Sequence, residues 1–243
     1  MKTILSWSSG KDAAYTLHRL SQAGTKPDLL LTTVNQDFQR VSMHGLRIKL
    51  LEKQANALQI PLYQIPLPKD VDMSGYNQSM QKHLQYLKNK GFDTMIFGDI
   101  FLEDLKKYRI EQLNKVQFKT RFPLWQKDTR KLALEIIDNG IEAIVVTVNA
   151  KLLDNSFVGR KFDRSFLNDL PQTVDWCGEN GEFHTFVYNS PQFINPIRFA
   201  TGKKTFKSYK PCTKSDQNSY QKKATHTNDK WDTGFWYIDV LCD

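Results

Sequence analysis

Ser8-Ser9-Gly10-Lys11-Asp12 is the segment of this sequence whose residue types and spacing are best suited to chemistry. It joins an apolar run at residues 3–7 to an amphipathic stretch at 13–23, so it predicts a tight turn between a buried strand and a helix. Such a turn aims successive backbone N–H groups and the positive end of the helix dipole at one point, which binds an anion. Ser6 ends the strand, Ser8 and Ser9 add hydroxyl donors, Gly10 lets the backbone come close, and Lys11 supplies a cation. Asp12 repels phosphate unless it caps the helix or helps to hold a metal ion. The spacing fits neither G-x-x-x-x-G-K-[ST] nor G-x-G-x-x-G, since only Gly10 is present. On the string alone, an ordinary strand-to-helix turn stays open.

Two further clusters carry carboxylates. Gly98-Asp99-Ile100 follows the apolar run at 94–97, and Asp99 and Glu103 are oxygen donors one helical turn apart, suited to magnesium directly or through water. They equally favour the N-terminus of a following helix. Glu179-Asn180-Gly181-Glu182 sets two carboxylates around a glycine turn. Buried without partners they would cost several kcal/mol, so they suit either an exposed turn or a site wall for a cation, ammonia or an amine. Cys177 beside them reads as a buried or pocket-lining thiol.

The elements that must position these groups alternate. Short apolar runs at 3–7, 29–34, 62–65, 94–97 and 143–148 read as buried strands. Helical patterns at 13–23, 46–58, 74–90, 103–118 and 129–139 lie between and after them; Asp128 is an expected N-cap, and Gly91 and Gly140 are expected stops. This rhythm predicts an α/β fold: a parallel sheet with helices on both faces, whose ligands bind beyond the carboxyl ends of the strands. After residue 150 the pattern changes to a short helix at 160–170, a strand at 183–188, a Lys-rich loop at 203–230 and an aromatic closing strand at 234–241. We expect residues 1–127 to form one domain around this sheet. Residues 128–243 are expected to form a smaller α+β substrate domain.

Ser8-Ser9-Gly10-Lys11-Asp12-Ala13 resembles the S-G-G-K-D-S loop of PP-loop ATP pyrophosphatases, within the adenine nucleotide alpha hydrolase-like superfamily. More narrowly, the chain resembles a short, bacterial-type member of the diphthine–ammonia ligase family. That resemblance is carried by the loop, by residues 41–47, by residues 97–109 and by residues 178–186, in the family's order. It implies that residues 1–127 are a Rossmann-like (HUP-type) PP-loop ATP-binding domain, with ATP as cosubstrate, cleavage between the α- and β-phosphates, adenylation of a carboxylate, and amide formation with ammonia. Magnesium would neutralise the pyrophosphate, with Asp99 as its ligand. Lys11, Asp12, Glu179 and Glu182 are then the catalytic candidates. Ser6, Ser8, Ser9, Gly10, Lys11, Asp12, Asn35, Gly98 and Arg109 are the nucleotide candidates. His44, Arg47, Asn180, Gly181, His184 and Thr185 are the substrate candidates.

The sequence departs from the family at several of these positions. Ser9 stands where a glycine is expected, in a place that asks for glycine-like backbone. Ala13 removes a hydroxyl donor, Asn180 replaces a glycine, and His184 replaces a glutamate.

Composition narrows the partners. The chain has 243 residues, 25% charged and 40% apolar, which suits a soluble globular protein. No apolar run nears the roughly 20 residues of a membrane helix, and the first residues do not read as a signal peptide. Three scattered cysteines point to a reducing cytoplasm. The net charge of +8 is dispersed, with only 8 Lys and 5 Asp in residues 201–243, so nucleotides are favoured over nucleic acid. The acceptor reads as a carboxylate on a small molecule or on a modified protein side chain. Assembly with a second copy is left open. An RNA-modifying or thiolating PP-loop enzyme, or a nucleotide sensor without catalysis, are the rival readings.

Overall fold

The structure is a computed structural model of the chain, and it describes residues 2–38, 40–41, 45–69, 71–209 and 233–242. The first half runs β1 (Lys2–Ser6), α1 (Lys11–Gln22), β2 (Leu29–Asn35), β3 (Arg40–Val41), α2 (Ile48–Leu58), β4 (Leu62–Leu67), α3 (Met73–Asn89), β5 (Phe92–Ile96), α4 (Glu103–Asn114) and β6 (Lys119–Arg121). The second half runs α5 (Thr129–Asp138), β7 (Glu142–Asn149), α6 (Arg164–Asp169), β8 (Phe183–Asn189), β9 (Phe199–Tyr209) and β10 (Thr233–Cys242).

In the first sheet β1 pairs in parallel with β2 on one side and β5 on the other; β4 extends it beyond β2, and β6 beyond β5. The two-residue β3 adds antiparallel to the end of β2. The chain leaves β1 in one direction and returns to its other side at β5, so the strand order reverses at the carboxyl end of β1. That is where open α/β sheets bind ligands. Helices form where the apolar spacing predicts them. In α3, Leu84 and Leu87 are buried and the Asp72 carboxylate caps the start by accepting from Gly75 N at 2.7 Å. Asp128 caps α5 in the same way, accepting from Lys131 N at 2.9 Å.

The run at 143–148 behaves differently from the expectation that it extends the parallel sheet. It forms β7, which pairs antiparallel with β8 and β10 in a second sheet of order β8-β7-β10-β9. The parallel edge is instead β6, three polar residues with no apolar signal to read. A strand buried on both faces is apolar throughout in either kind of sheet, so composition does not assign it to one. The helix expected at 160–170 shortens to α6, which starts at an Asp163 cap. The expected Lys-rich loop begins as β9, and its remainder, residues 210–232, lies outside the described residues. One cluster of buried side chains runs from Leu5, Leu17 and Leu50 to Val145, Phe166 and Phe186, so both sheets share a core. Helix α1 lies at its centre, with eight of its residues buried.

Candidate active site

The turn between β1 and α1 is built as the sequence implies, by an uncommon backbone. Ser9 is fully buried with φ +72°, in the left-handed region that favours glycine. Its carbonyl accepts from Val187 N at 3.0 Å and from the Gln54 side-chain amide at 3.0 Å. Gln54 also donates to the Val187 carbonyl at 2.7 Å and accepts from the Trp7 indole at 2.8 Å. A fully buried glutamine on α2 thus ties the loop to β8. Gly10 caps α1 without any side-chain bond, and a Cβ there would lie 3.3 Å from the Thr185 carbonyl. First-turn amides have no intrahelical acceptor. The one at Lys11 donates to Thr185 Oγ1 at 3.1 Å. Among the described residues Ser9 Oγ is buried without a partner.

Beside this turn lies a cavity of about 300 Å³, at the carboxyl ends of β1, β2 and β5 and under α3 and α4. Leu31, Leu84, Met95, Phe97 and Leu113 make an apolar wall, and Ser6, Ser8, Thr32 and Thr33 a polar edge. Its cationic groups are Arg109 and Lys115, and among the described residues no carboxylate lines it. His184, on β8, is the residue that the second sheet contributes to the lining. Arg109 stacks over Phe97 with its guanidinium carbon 4.4 Å from the ring centre. Its Nε lies 2.7 Å from Asp99 Oδ2 as an ion pair without hydrogen-bond alignment, and Nη2 donates to Oδ1 at 3.3 Å. Burial pushes the Asp99 carboxyl above its ordinary pKa, more than Arg109 pulls it down.

On the other side of the loop the charges are mostly negative. Glu179 Oε1 accepts from Ile100 N at 2.7 Å and, more distantly, from Phe101 N at 3.4 Å. Its pKa is pushed up to about 7, first by burial and then by the nearby Asp12 charge, against the pull of the Ile100 amide. Glu182 is 2% exposed; its Oε1 accepts from Asp175 N at 3.1 Å and from the Asn180 amide at 3.0 Å. Gly181 makes the turn between them with φ +84°.

Several expected site residues take other positions. Lys11 was expected to reach phosphate, but its side chain is buried and turned toward the second sheet. There Nζ donates to both Asp12 oxygens, at 3.0 and 2.9 Å, and to the Cys177 carbonyl. Its ammonium lies about equally far from the Phe162 and Phe183 rings, at 5.5 and 5.4 Å. Burial alone would lower its pKa, but Asp12 foremost, with Cys177 and Glu179, raises it above the usual lysine value. Lys11 therefore holds the loop from beneath. Thr185 spends its hydroxyl on the Lys11 amide and is buried, so it braces the loop rather than meeting substrate.

Asn35 does not line the cavity; its side chain accepts from Phe38 N at 3.1 Å and closes the turn after β2. Gly98 lets β5 approach α1, since a Cβ there would sit 3.0 Å from the Asp12 backbone. Arg47 is paired with Asp239 on β10, as is Arg40, which ties the two sheets together at that edge. Asp239 is held below the usual carboxylate range by those hydrogen bonds. His44 lies outside the described residues. The Cys177 thiol is buried, and burial pushes its pKa well up, which gives a sulfur-carrying role no support.

Sequence reasoning passed over Gln54, Tyr76, Asn77, Tyr108 and Lys115. Gln54 had a signal, a polar residue on the apolar face of a helix; the others look like ordinary surface positions of α3, α4 and the residue after α4. Magnesium is implied by the resemblance, yet among the described residues no group of three His, Cys, Asp or Glu side chains could hold a metal. Asp99 is already engaged by Arg109. Magnesium commonly takes one or two carboxylates and fills its shell with phosphate oxygens and water. Asp12 pairs with Lys11 through both oxygens, but its side chain is 27% exposed at the head of α1, so it keeps lone pairs for a metal or its water there.

An open parallel sheet, an anion-binding turn after its first strand and an apolar cavity beside that turn define a PP-loop nucleotide-binding enzyme. Residues 1–118 match the Diphthamide synthase N-terminal domain and residues 128–218 the Diphthamide synthase C-terminal domain. The chain belongs to the diphthamide synthase family, and by class it is an ATP-dependent amide ligase. The diphthine–ammonia ligase of Bos taurus is 27% identical over 217 residues, covering 78% of this chain and 79% of that protein. That of Homo sapiens is 25% identical over the same length, with the same coverage. That of Danio rerio is 24% identical over 221 residues, covering 81% and 86%. A crystal structure described as a predicted subunit of tRNA methyltransferase from Methanocaldococcus jannaschii DSM covers 80% of this chain and 100% of its own at 16% identity. Its TM-score is 0.44, and nothing further follows from that likeness. No helix among the described residues is long and apolar enough to cross a membrane.

Proposed function

We propose that this chain binds ATP with the adenine in the cavity under α3 and α4 and the phosphates over the turn at Ser8–Asp12. It then adenylates a carboxylate and converts it to an amide with ammonia. The observation that carries this is a cavity with an apolar wall, cationic residues and, among the described residues, no carboxylate, placed beside a helix start whose cap, Gly10, brings no side chain. Leu31, Met95 and Phe97 suit the base. The free amides of the first turn, with Ser8 and Ser9, suit the phosphates, and Arg109 offers charge to the phosphate chain from α4. Magnesium would sit on phosphate oxygens with Asp12 at its edge and would supply charge neutralisation when bound.

In the first step an acceptor carboxylate oxygen attacks the α-phosphorus. The bond to the oxygen bridging to the β-phosphate breaks, and pyrophosphate leaves. In the second, the ammonia nitrogen attacks the acyl carbon, AMP leaves with the bonding pair, and the nitrogen gives up a proton. Residues 1–127 serve the nucleotide and residues 128–243 the acceptor, with His184 where the two meet. The acceptor is a carboxylate on a small molecule or on a modified protein side chain. A buried, unreactive Cys177 suits a reducing cytoplasm.

The test is nucleotide turnover by the purified protein with ATP, magnesium, ammonium, a panel of small carboxylates and a cell extract, with Arg109→Ala alongside. We expect AMP and pyrophosphate, dependent on an added acceptor and strongly reduced in the variant. ADP and phosphate would sink the adenylation reading. ATP binding without cleavage under every condition would turn the assignment to a sensor.

A further inference from the structure

Gln54 sits on the inward face of α2 with no exposed surface. A glutamine buried there must satisfy an NH₂ group with two donors and a carbonyl oxygen. Its partners all lie on the segments that frame the phosphate turn. Nε2 donates to the Ser9 carbonyl at 3.0 Å and to the Val187 carbonyl at 2.7 Å, and Oε1 accepts from the Trp7 indole at 2.8 Å. Only one orientation of the amide makes these bonds. Turned over, its oxygen would face two carbonyls and its nitrogen an N–H, and all three would be lost.

This clamp fixes the peptide between Ser9 and Gly10. The Ser9 carbonyl has two lone pairs, and it accepts from Gln54 on α2 and from the Val187 amide on β8, each at 3.0 Å. A carbonyl held from both sides resists turning. The peptide is trans, and in a trans peptide the N–H points opposite to the C=O. The Gly10 N–H is therefore aimed away from α2 and β8, toward the Ser8 hydroxyl, which it meets at 3.5 Å. That is longer than an ordinary N–H···O bond, so a stronger acceptor can take the donor over. Ser8 lines the nucleotide cavity, whereas the next amide, at Lys11, is already given to Thr185. The same contacts hold Ser9 at φ +72°, which a serine keeps only where its surroundings over-determine it.

We propose that Gln54 is a positioning residue for the nucleotide: it sets the Ser9–Gly10 peptide so that the N–H, and not the carbonyl, faces the phosphate chain. The proposal rests on the reading of this turn as the phosphate site. Without the clamp the peptide can rotate, and a carbonyl oxygen brought to the same place repels the anion that the amide attracts. Gln54 does not line the cavity, and its amide is spent on the protein. Its loss therefore weakens what binds through phosphate and spares what binds through the base.

The experiment compares the wild type with Gln54→Met, close in length but without donors, by calorimetry with adenosine, magnesium ATP and magnesium pyrophosphate. Beside it, the full chain isotope-labelled at glycine is titrated with magnesium pyrophosphate and followed by NMR. We expect the variant to bind ATP and pyrophosphate about tenfold more weakly, the worth of one charge-assisted hydrogen bond, and adenosine as before. In the wild type the Gly10 amide signal should move as pyrophosphate is added. Equal losses for adenosine and pyrophosphate would make Gln54 a general support of the fold and overturn the positioning role, as would no loss for either. Should Gln54→Met fail to fold, the wild-type titration still decides. Pyrophosphate that binds without moving the Gly10 signal would overturn the proposal and leave the phosphate reading standing. Pyrophosphate that does not bind at all would remove both.

Discussion

The cavity beside the phosphate turn and the acidic segment at 175–182 differ in sign. One is lined by apolar side chains with Arg109 and Lys115 and, among the described residues, holds no carboxylate. The other is the segment at 175–182, whose Asp175, Glu179 and Glu182 carboxylates accept from nearby backbone amides and from the Asn180 side chain. The same loop divides them, and Lys11 and Asp12 lie in it as neighbours whose side chains pair with each other. The difference teaches how a short turn can stand between a cavity lined by cations and a segment rich in carboxylates. Its one lysine is withdrawn into the core, where it pairs with Asp12 and donates to the Cys177 carbonyl of that segment.

The largest test of that comparison is Lys11→Ala. It removes the cation from a buried pair whose side chains are 3% and 27% exposed, and it strips the Cys177 carbonyl of its donor. Breaking such a pair from one side costs about 3–5 kcal/mol. We expect the lower part of that range because Asp12 is partly open to water. Urea unfolding measures it. A loss well under about 1 kcal/mol would mean that Asp12 simply hydrates and that the loop is held by Gln54 and Thr185 alone.

Next in size is the pH dependence of the acidic side. The folded pKa of Glu179, about 7, stands above the ordinary value of 4.5. Between those two values the folded chain keeps a proton that the unfolded chain has released. Its contribution to stability is full below about pH 4.5 and is lost as the pH rises toward 7. Raising the pH from 5 to 8 should therefore lower stability by an amount on the order of 2 kcal/mol from this group. Glu179→Gln should flatten that slope, read as the urea midpoint across the pH range. A slope that survives in the variant would shift the cause to Asp99, whose pKa burial also raises.

How much of this was legible in the sequence follows from what each feature depends on. The alternation of apolar runs and helical patterns fixed β1, β2, β4, β5 and the five longer helices, because local spacing decides which face each element buries. The turn at Ser8–Asp12 was visible for the same reason. The direction of Lys11 was not, since it depends on a carbonyl 166 positions away. The pairings of Arg47 and Thr185 were hidden likewise: their partners, Asp239 and the Lys11 amide, are far off in sequence. The nucleotide cavity stayed hidden because its walls are unremarkable residues of α3 and α4 that become a pocket only when set over the strand ends.

Ser9 was the one position where local reasoning and the fold agree on a conflict, and the smallest expected effect lies there. A serine with φ +72° carries a backbone penalty of about 1–2 kcal/mol that glycine does not. Its hydroxyl is also buried without a partner. Ser9→Gly should raise stability, by about 1 kcal/mol once the greater freedom of glycine in the unfolded chain is set against the relief. A strained residue with an unpartnered hydroxyl at a phosphate turn has a use if that hydroxyl is kept for the ligand. ATP affinity, by calorimetry, should then fall about tenfold in the same variant, the worth of one charge-assisted hydrogen bond. Opposite signs in the two measurements would show that the loop trades stability for a ready donor on its nucleotide side. A rise in both would leave Ser9 as uncompensated strain, and a fall in stability would refute the strain itself.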